Sequence, residues 1–200
     1  MEQVATFNSP PSAIPQTLGP IIMRTILILS LFFLFQGQNN LKKYTNEEYG
    51  FSVSLPSIKE SQKQSIDAGF ANISRIRIVA DTQQVSGIVK YNVTYRIIGE
   101  IFMPIGKTDT SAFYKEIKNG VIQMQESSCA GSIKIINKNI EIKNNATEVT
   151  YKLEYSDLPL VEVRKLIIKK NKSFCISYLT RPEYFNEKEK NDFITSFQTE

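Results

Sequence analysis

Residues 43–56 read KYTNEEYGFSVSLP, with Tyr49, Phe51, Val53 and Leu55 at alternate positions. Gly50, Ser52 and Ser54 lie between them, and Pro56 ends the run. A period of two puts the four apolar side chains on one face of an extended chain, so the stretch predicts a short, half-buried strand. Such a face needs a second layer to cover it.

Downstream the pattern keeps changing. SIKESQKQSIDAGFAN (57–72) is polar and reads as a loop, ISRIRIVAD (73–81) as a strand and DTQQVSG (81–87) as a turn. IVKYNVTYRI (88–97) puts Val89, Tyr91, Val93, Tyr95 and Ile97 on one face, with Lys90, Asn92, Thr94 and Arg96 opposite. That is a half-buried strand. IFMPIGKTD (101–109) reads as a loop unusually rich in apolar side chains. Asp109 then offers an N-cap to a helix with Phe113, Ile117, Val121 and Met124 at helical spacing, running up to Cys129. Asn119-Gly120 lies inside it, and an interior glycine costs about 1 kcal/mol against alanine.

Period two returns in IKIINKNIEIK (133–143), EVTYKLEYS (148–156), LVEVRKLIIKK (160–170) and KSFCISYLT (172–180). The joining turns are too short for crossovers, which makes these four strands antiparallel neighbours. NEKEKNDFITSF (186–197) closes the pattern as a helix, with Asn186 and Glu189 as a capping box and Phe193, Ile194 and Phe197 as its apolar side. This order predicts the α+β class, with a single antiparallel sheet packed against helices.

At 200 residues the chain holds one domain comfortably, and 42% hydrophobic residues suffice for a core. A net charge of +4 is too small to argue for nucleic acid or an anionic membrane. The chain has no histidine, which removes the usual general base, the Ser-His and Cys-His nucleophile pairs and most zinc sites. Ser-Lys and paired-carboxylate chemistry stay open.

ILILSLFFLF (26–35), behind Met23 and Arg24, matches the apolar core of a secretory signal and is too short to span a bilayer. Residues 23–37 are therefore expected to be a signal peptide, with cleavage after Gly37, although Phe35 stands where a small residue belongs. Residues 1–22 are Pro-rich and are expected to precede a true start at Met23. Residues 38–200 form the mature domain, secreted or periplasmic. An exported chain with two cysteines is expected to join Cys129 to Cys175 in a disulfide.

The YTNEEYGFSVSLP motif behind a leader, the mid-chain helix, the run of strands with KSFCISYLT, and the closing helix ending FITSF together resemble the PsbP-like superfamily. That family includes photosystem PsbP proteins, nuclear Mog proteins and bacterial DcrB-type lipoproteins. The resemblance spans roughly residues 44–198 and rests on Tyr49, Gly50, Phe51, Pro56, Tyr178, Phe193, Ser196 and Phe197. It implies an α/β sandwich in which these residues build sheet and helix contacts, and a role in binding or assembly without catalysis. The chain lacks the lipid-anchoring cysteine of DcrB-type members and the transit peptide of plant PsbP.

Local candidates are few. Glu47 and Glu48 are adjacent, so on an extended chain they point apart and cannot flank one substrate atom. VRKLIIKKNK (163–172) is basic and reads as a solvated turn that guards a sheet, or as a contact for an anionic polymer or membrane surface. In IFMPIG (101–106), Phe102, Met103 and Ile105 either plug the core or form an exposed contact for a partner. The expected function is an exported, non-enzymatic binding or assembly protein. No catalytic residue, cofactor, metal, nucleic acid or integral membrane span is expected, and the partner is a protein or a small apolar ligand. The alternatives are a carrier of a small apolar ligand between sheet and helix, and a hydrolase using carboxylates or Ser-Lys chemistry.

Overall fold

The computed structural model describes residues 41–86, 89–106 and 109–200, without the side chains of 84–91. The expected leader and signal peptide (1–37) lie outside these residues, as do Gly87, Ile88, Lys107 and Thr108. No helix among the described residues is long and apolar enough to cross a membrane.

The opening stretch is a hairpin where one strand was expected. β1 (Lys42–Asn46) pairs antiparallel with β2 (Phe51–Leu55), Tyr44 opposite Val53. The turn forms because the Asn46 side chain accepts from the Tyr49 amide at 3.1 Å, while Gly50 takes a φ of 67°. Phe51, Val53 and Leu55 are buried as the alternation requires. Their strand belongs to a separate three-stranded sheet, β1-β2-β10, closed by β10 (Gln198–Thr199). The expectation of a single sheet is thus corrected to two.

The larger sheet has seven antiparallel strands in the order β3-β4-β5-β9-β8-β7-β6. β3 (Ile58–Asp67) occupies the polar segment expected to be a loop. It is an edge strand bonded only to β4 and open to water along most of its length, so it needs no apolar face. β4 (Ala71–Ser86) and β5 (Val89–Pro104) pair from Ala71 opposite Pro104 to Ser86 opposite Val89. Those arms absorb most of the expected turn at 81–87 and the first part of the expected loop at 101–109.

The rest follows the predicted periods. α1 (Thr110–Ser127) is capped by the Asp109 side chain, which accepts from the Ser111 and Ala112 amides, and it buries Phe113, Ile117 and Val121. β6 (Ile133–Lys143), β7 (Ala146–Tyr155), β8 (Val161–Lys169) and β9 (Lys172–Thr180) form a meander, and β9 slots in beside β5. After a short 3-10 turn at Pro182–Tyr184, α2 (Glu187–Ser196) starts with the Asn186 side chain accepting from the Glu189 amide at 3.1 Å. The Glu189 carboxylate reaches the sheet. It takes the hydroxyls of Tyr95 and Tyr178 and so ties α2 to the sheet.

The large sheet is covered on both faces. On one side Phe113, Ile117 and Val121 of α1 pack with Ile73, Phe102, Tyr151, Leu153, Leu166 and Cys175. On the other, Phe193 and Phe197 with Phe51, Val53 and Leu55 pack on Ile97, Phe174, Ile176 and Tyr178. This explains why seven of the nine residues of β9 are buried, with no polar face left over. Tyr95 and Phe193 meet edge to face at 4.9 Å, and Phe51 and Phe197 stack at 5.4 Å. Each such pair adds about 1 kcal/mol beyond the area it buries.

Candidate functional site

A cavity of about 200 Å³ lies between α1 and the end of the β4–β5 hairpin. The sheet contributes Ile73, Arg75, Glu100 and Phe102, the β3–β4 turn Ala68 and Phe70, and α1 Glu116, Ile117, Gly120, Val121 and Met124. The turn is held by the Asp67 side chain accepting from the Gly69 amide at 2.8 Å, and by the Ala68 amide donating to the Ala71 carbonyl. Phe102 is fixed by the Asn171 side chain, which donates to its carbonyl at 3.1 Å, and by its own amide donating to the Asn171 carbonyl.

The cavity's charges are largely cancelled. Arg75 and Glu100 sit opposite each other in the β4–β5 register, with the Arg75 Nε donating to Glu100 Oε1 at 2.8 Å. Ser173 donates to the other Glu100 oxygen at 2.8 Å, so both oxygens of this 3% exposed carboxylate have a donor. Glu116 is the remaining charged residue of the lining and lies at the exposed rim. A Cβ built on Gly120 would meet nothing within 4 Å. Gly120 is exposed, so the glycine does not serve close packing.

The three apolar loop candidates separate. Phe102 is 3% exposed and belongs to the α1-side core and to the cavity, whereas Met103 and Ile105 are 48% and 47% exposed. Phe102 thus plugs the core, while Met103 and Ile105 are exposed. Sequence reasoning missed Phe70, Arg75, Glu100, Glu116 and Gly120. The available signals were an arginine and a glutamate amid apolar strand residues and a glycine inside a helix.

A second constellation lies further along α1. Glu162 and Arg164, two apart on β8, form a buried pair, with Arg164 Nε donating to Oε1 and Nη2 to Oε2, each at 3.0 Å. Arg164 Nη1 donates to the Gln125 side chain at 3.0 Å, and the Tyr155 hydroxyl donates to Glu162 at 2.6 Å. Burial works against the Glu162 charge, but the Arg164 hydrogen bonds and charge outweigh it and hold this carboxyl below its ordinary value. Burial and the Glu162 hydrogen bond push the Tyr155 hydroxyl up to about 12.

The expected Cys129–Cys175 bridge is not formed. Both are buried free thiols. Each sulfur bonds to Gln125, Cys129 with the backbone carbonyl at 3.3 Å and Cys175 with the side chain at 3.8 Å. Burial pushes the Cys175 thiol up to about 12, which makes it a poor nucleophile at neutral pH. The basic stretch 163–172 is also largely engaged: Lys165 pairs with Glu148, Lys169 donates to the Glu200 carbonyl and Lys172 to the Tyr49 carbonyl. Glu48 pairs with Lys63 on β3. Among the described residues no group of three or more acidic, cysteine or histidine side chains could hold a metal ion.

No family model and no curated protein matches the chain. Among solved structures, the solution structure of cyanobacterial PsbP (CyanoP) from Synechocystis sp. PCC 6803 is similar at 11% identity with a TM-score of 0.38. The likeness covers 83% of this chain and 96% of that one, a weak PsbP-like match in structure.

Proposed function

We propose that this chain is an exported, non-enzymatic binding protein that takes a small apolar group into the cavity between α1 and the β4–β5 hairpin. The observation that carries the reading is the lining: mostly apolar walls and one ion pair whose carboxylate oxygens both have donors. Size and charge define the occupant. Cavities near 150 Å³ accept benzene, so about 200 Å³ suits a single aromatic ring with a short alkyl tail, or the equivalent side chain of a partner protein. Arg75 is neutralised by Glu100, and Glu116 leaves the rim acidic, so neutral or cationic groups fit and carboxylates do not. A hydrolase would need polar groups converging on a reacting atom, and Glu100 is already engaged by Arg75 and Ser173. Export through residues 23–37 is part of the proposal, supported by the apolar run behind Arg24.

The test is ligand-observed NMR with n-butylbenzene and hexanoate. Butylbenzene is expected to bind and hexanoate to bind at least tenfold more weakly. Gly120→Leu, which adds a bulky side chain to the cavity lining, is expected to abolish butylbenzene binding while the circular dichroism spectrum stays native. Undiminished binding to the Leu variant, or no binding of butylbenzene at all, would sink the reading.

A further inference from the structure

The seven-stranded sheet ends in two unlike edges. β3 shows water mainly Lys, Gln, Ser and Glu, the usual protection of an open edge. β6 lacks it. After the irregularity between Ile135 and Asn137, the segment Asn137–Lys143 carries Ile140 at 52% and Ile142 at 79% exposure. Both stand on the face of Val149 and α1, because Ile140 is opposite Val149 and Ile142 opposite Thr147. Among the described residues no strand pairs with the outer side of β6.

We propose that β6 pairs antiparallel with β6 of a second copy, about a twofold axis at Ile140, so that the two seven-stranded sheets become one. Residues opposite each other in an antiparallel ladder share a face, so a strand pairing with its own copy must match residues of equal parity. Centring on Ile140 uses all seven residues from Asn137 to Lys143. Ile140 then faces the partner's Ile140, Lys138 the partner's Ile142, Asn139 the partner's Glu141, and Asn137 the partner's Lys143. No like charges come directly opposite. Ile142 lies diagonal to the partner's Ile140, so four isoleucines join in one covered stripe, flanked by the lysine stems.

Other registers fail on the same residues. Centring on Lys138 or Glu141 sets a like charge on itself. Centring on Asn139 runs the ladder into the irregularity at Ile136. Centring on Ile142 leaves three residues before the left-handed turn at Asn144 and Asn145.

Sedimentation velocity of the full chain from 5 to 200 µM tests the proposal. The weight-average mass is expected to rise from one copy toward two. Ile140→Lys with Ile142→Lys is expected to weaken association at least tenfold with an unchanged melting curve; if that pair unfolds, Ile142→Lys alone carries the test. A wild-type chain that stays monomeric over the whole range overturns the proposal. So does a dimer that survives the substitutions, including one held by the apolar segment 26–35, which both proteins retain.

Discussion

Glu162 shows no surface to water, and its charge persists because Arg164 grips both carboxylate oxygens from two residues along the same strand. Removing one partner of such a pair strands the other, which costs about 3–5 kcal/mol. Urea unfolding of Glu162→Gln at pH 7 is expected to show a loss of that size. The pH dependence follows from the lowered value. The contribution of Glu162 is fully present above its ordinary 4.5 and is lost as pH falls through the folded value. The wild-type melting temperature should therefore fall more steeply below pH 4.5 than that of the Gln variant. Parallel acid limbs would count against the pair. The cysteines teach a related lesson at this scale. A count of two in an exported chain suggests a bridge, but composition does not reveal that Gln125 sits against both sulfurs.

The segment from Phe102 to Ile105 shows how an element divides its residues. Phe102 still lies in β5, facing α1, while Met103 and Ile105 face water. Phe102→Ser is expected to cost about 3–5 kcal/mol and to lower the melting temperature sharply. Met103→Ser and Ile105→Ser should each stay within about 0.5 kcal/mol. Equal effects from all three would place the whole segment in the core. The elements with strong local signals were legible from sequence: α1 from Asp109 and its helical spacing, α2 from Asn186, and the four-strand meander from period two and short turns. β3 was not, because an edge strand wetted on both faces has the composition of a loop. The full arms of β4 and β5 were hidden for a related reason: residues 81–86 have the composition of a turn, although Arg75 lies in a segment read as strand and Glu100 close to one. Those two residues are 25 positions apart, so the cavity they line had no local signature.

Across the whole molecule, the small sheet is built from the two ends of the domain. Gln198 pairs with Ser52, the Glu200 amide donates to the Gly50 carbonyl at 3.1 Å, and Ser196 accepts from the Ser54 amide at 3.0 Å. Phe197 packs against Phe51 and Phe174. Ending the chain after Ser196 is expected to cost at least the 3–5 kcal/mol of a lost core phenylalanine, read as a fall in urea midpoint, and Phe197→Ala should account for most of it. A truncated chain as stable as the whole would show that β10 is ornament. The pairing of β2 with β10 also sets a timetable. A ribosome releases β2 early, at about 5–20 residues per second, and β2 then waits for partners almost 150 positions away. Until β9 and Phe197 emerge, Phe51, Val53 and Leu55 have only the β4 and β5 side chains of that core, such as Ile78 and Ile97, to lie on. For the export proposed above, that order means the small sheet cannot be completed before residues 198 and 199 are made.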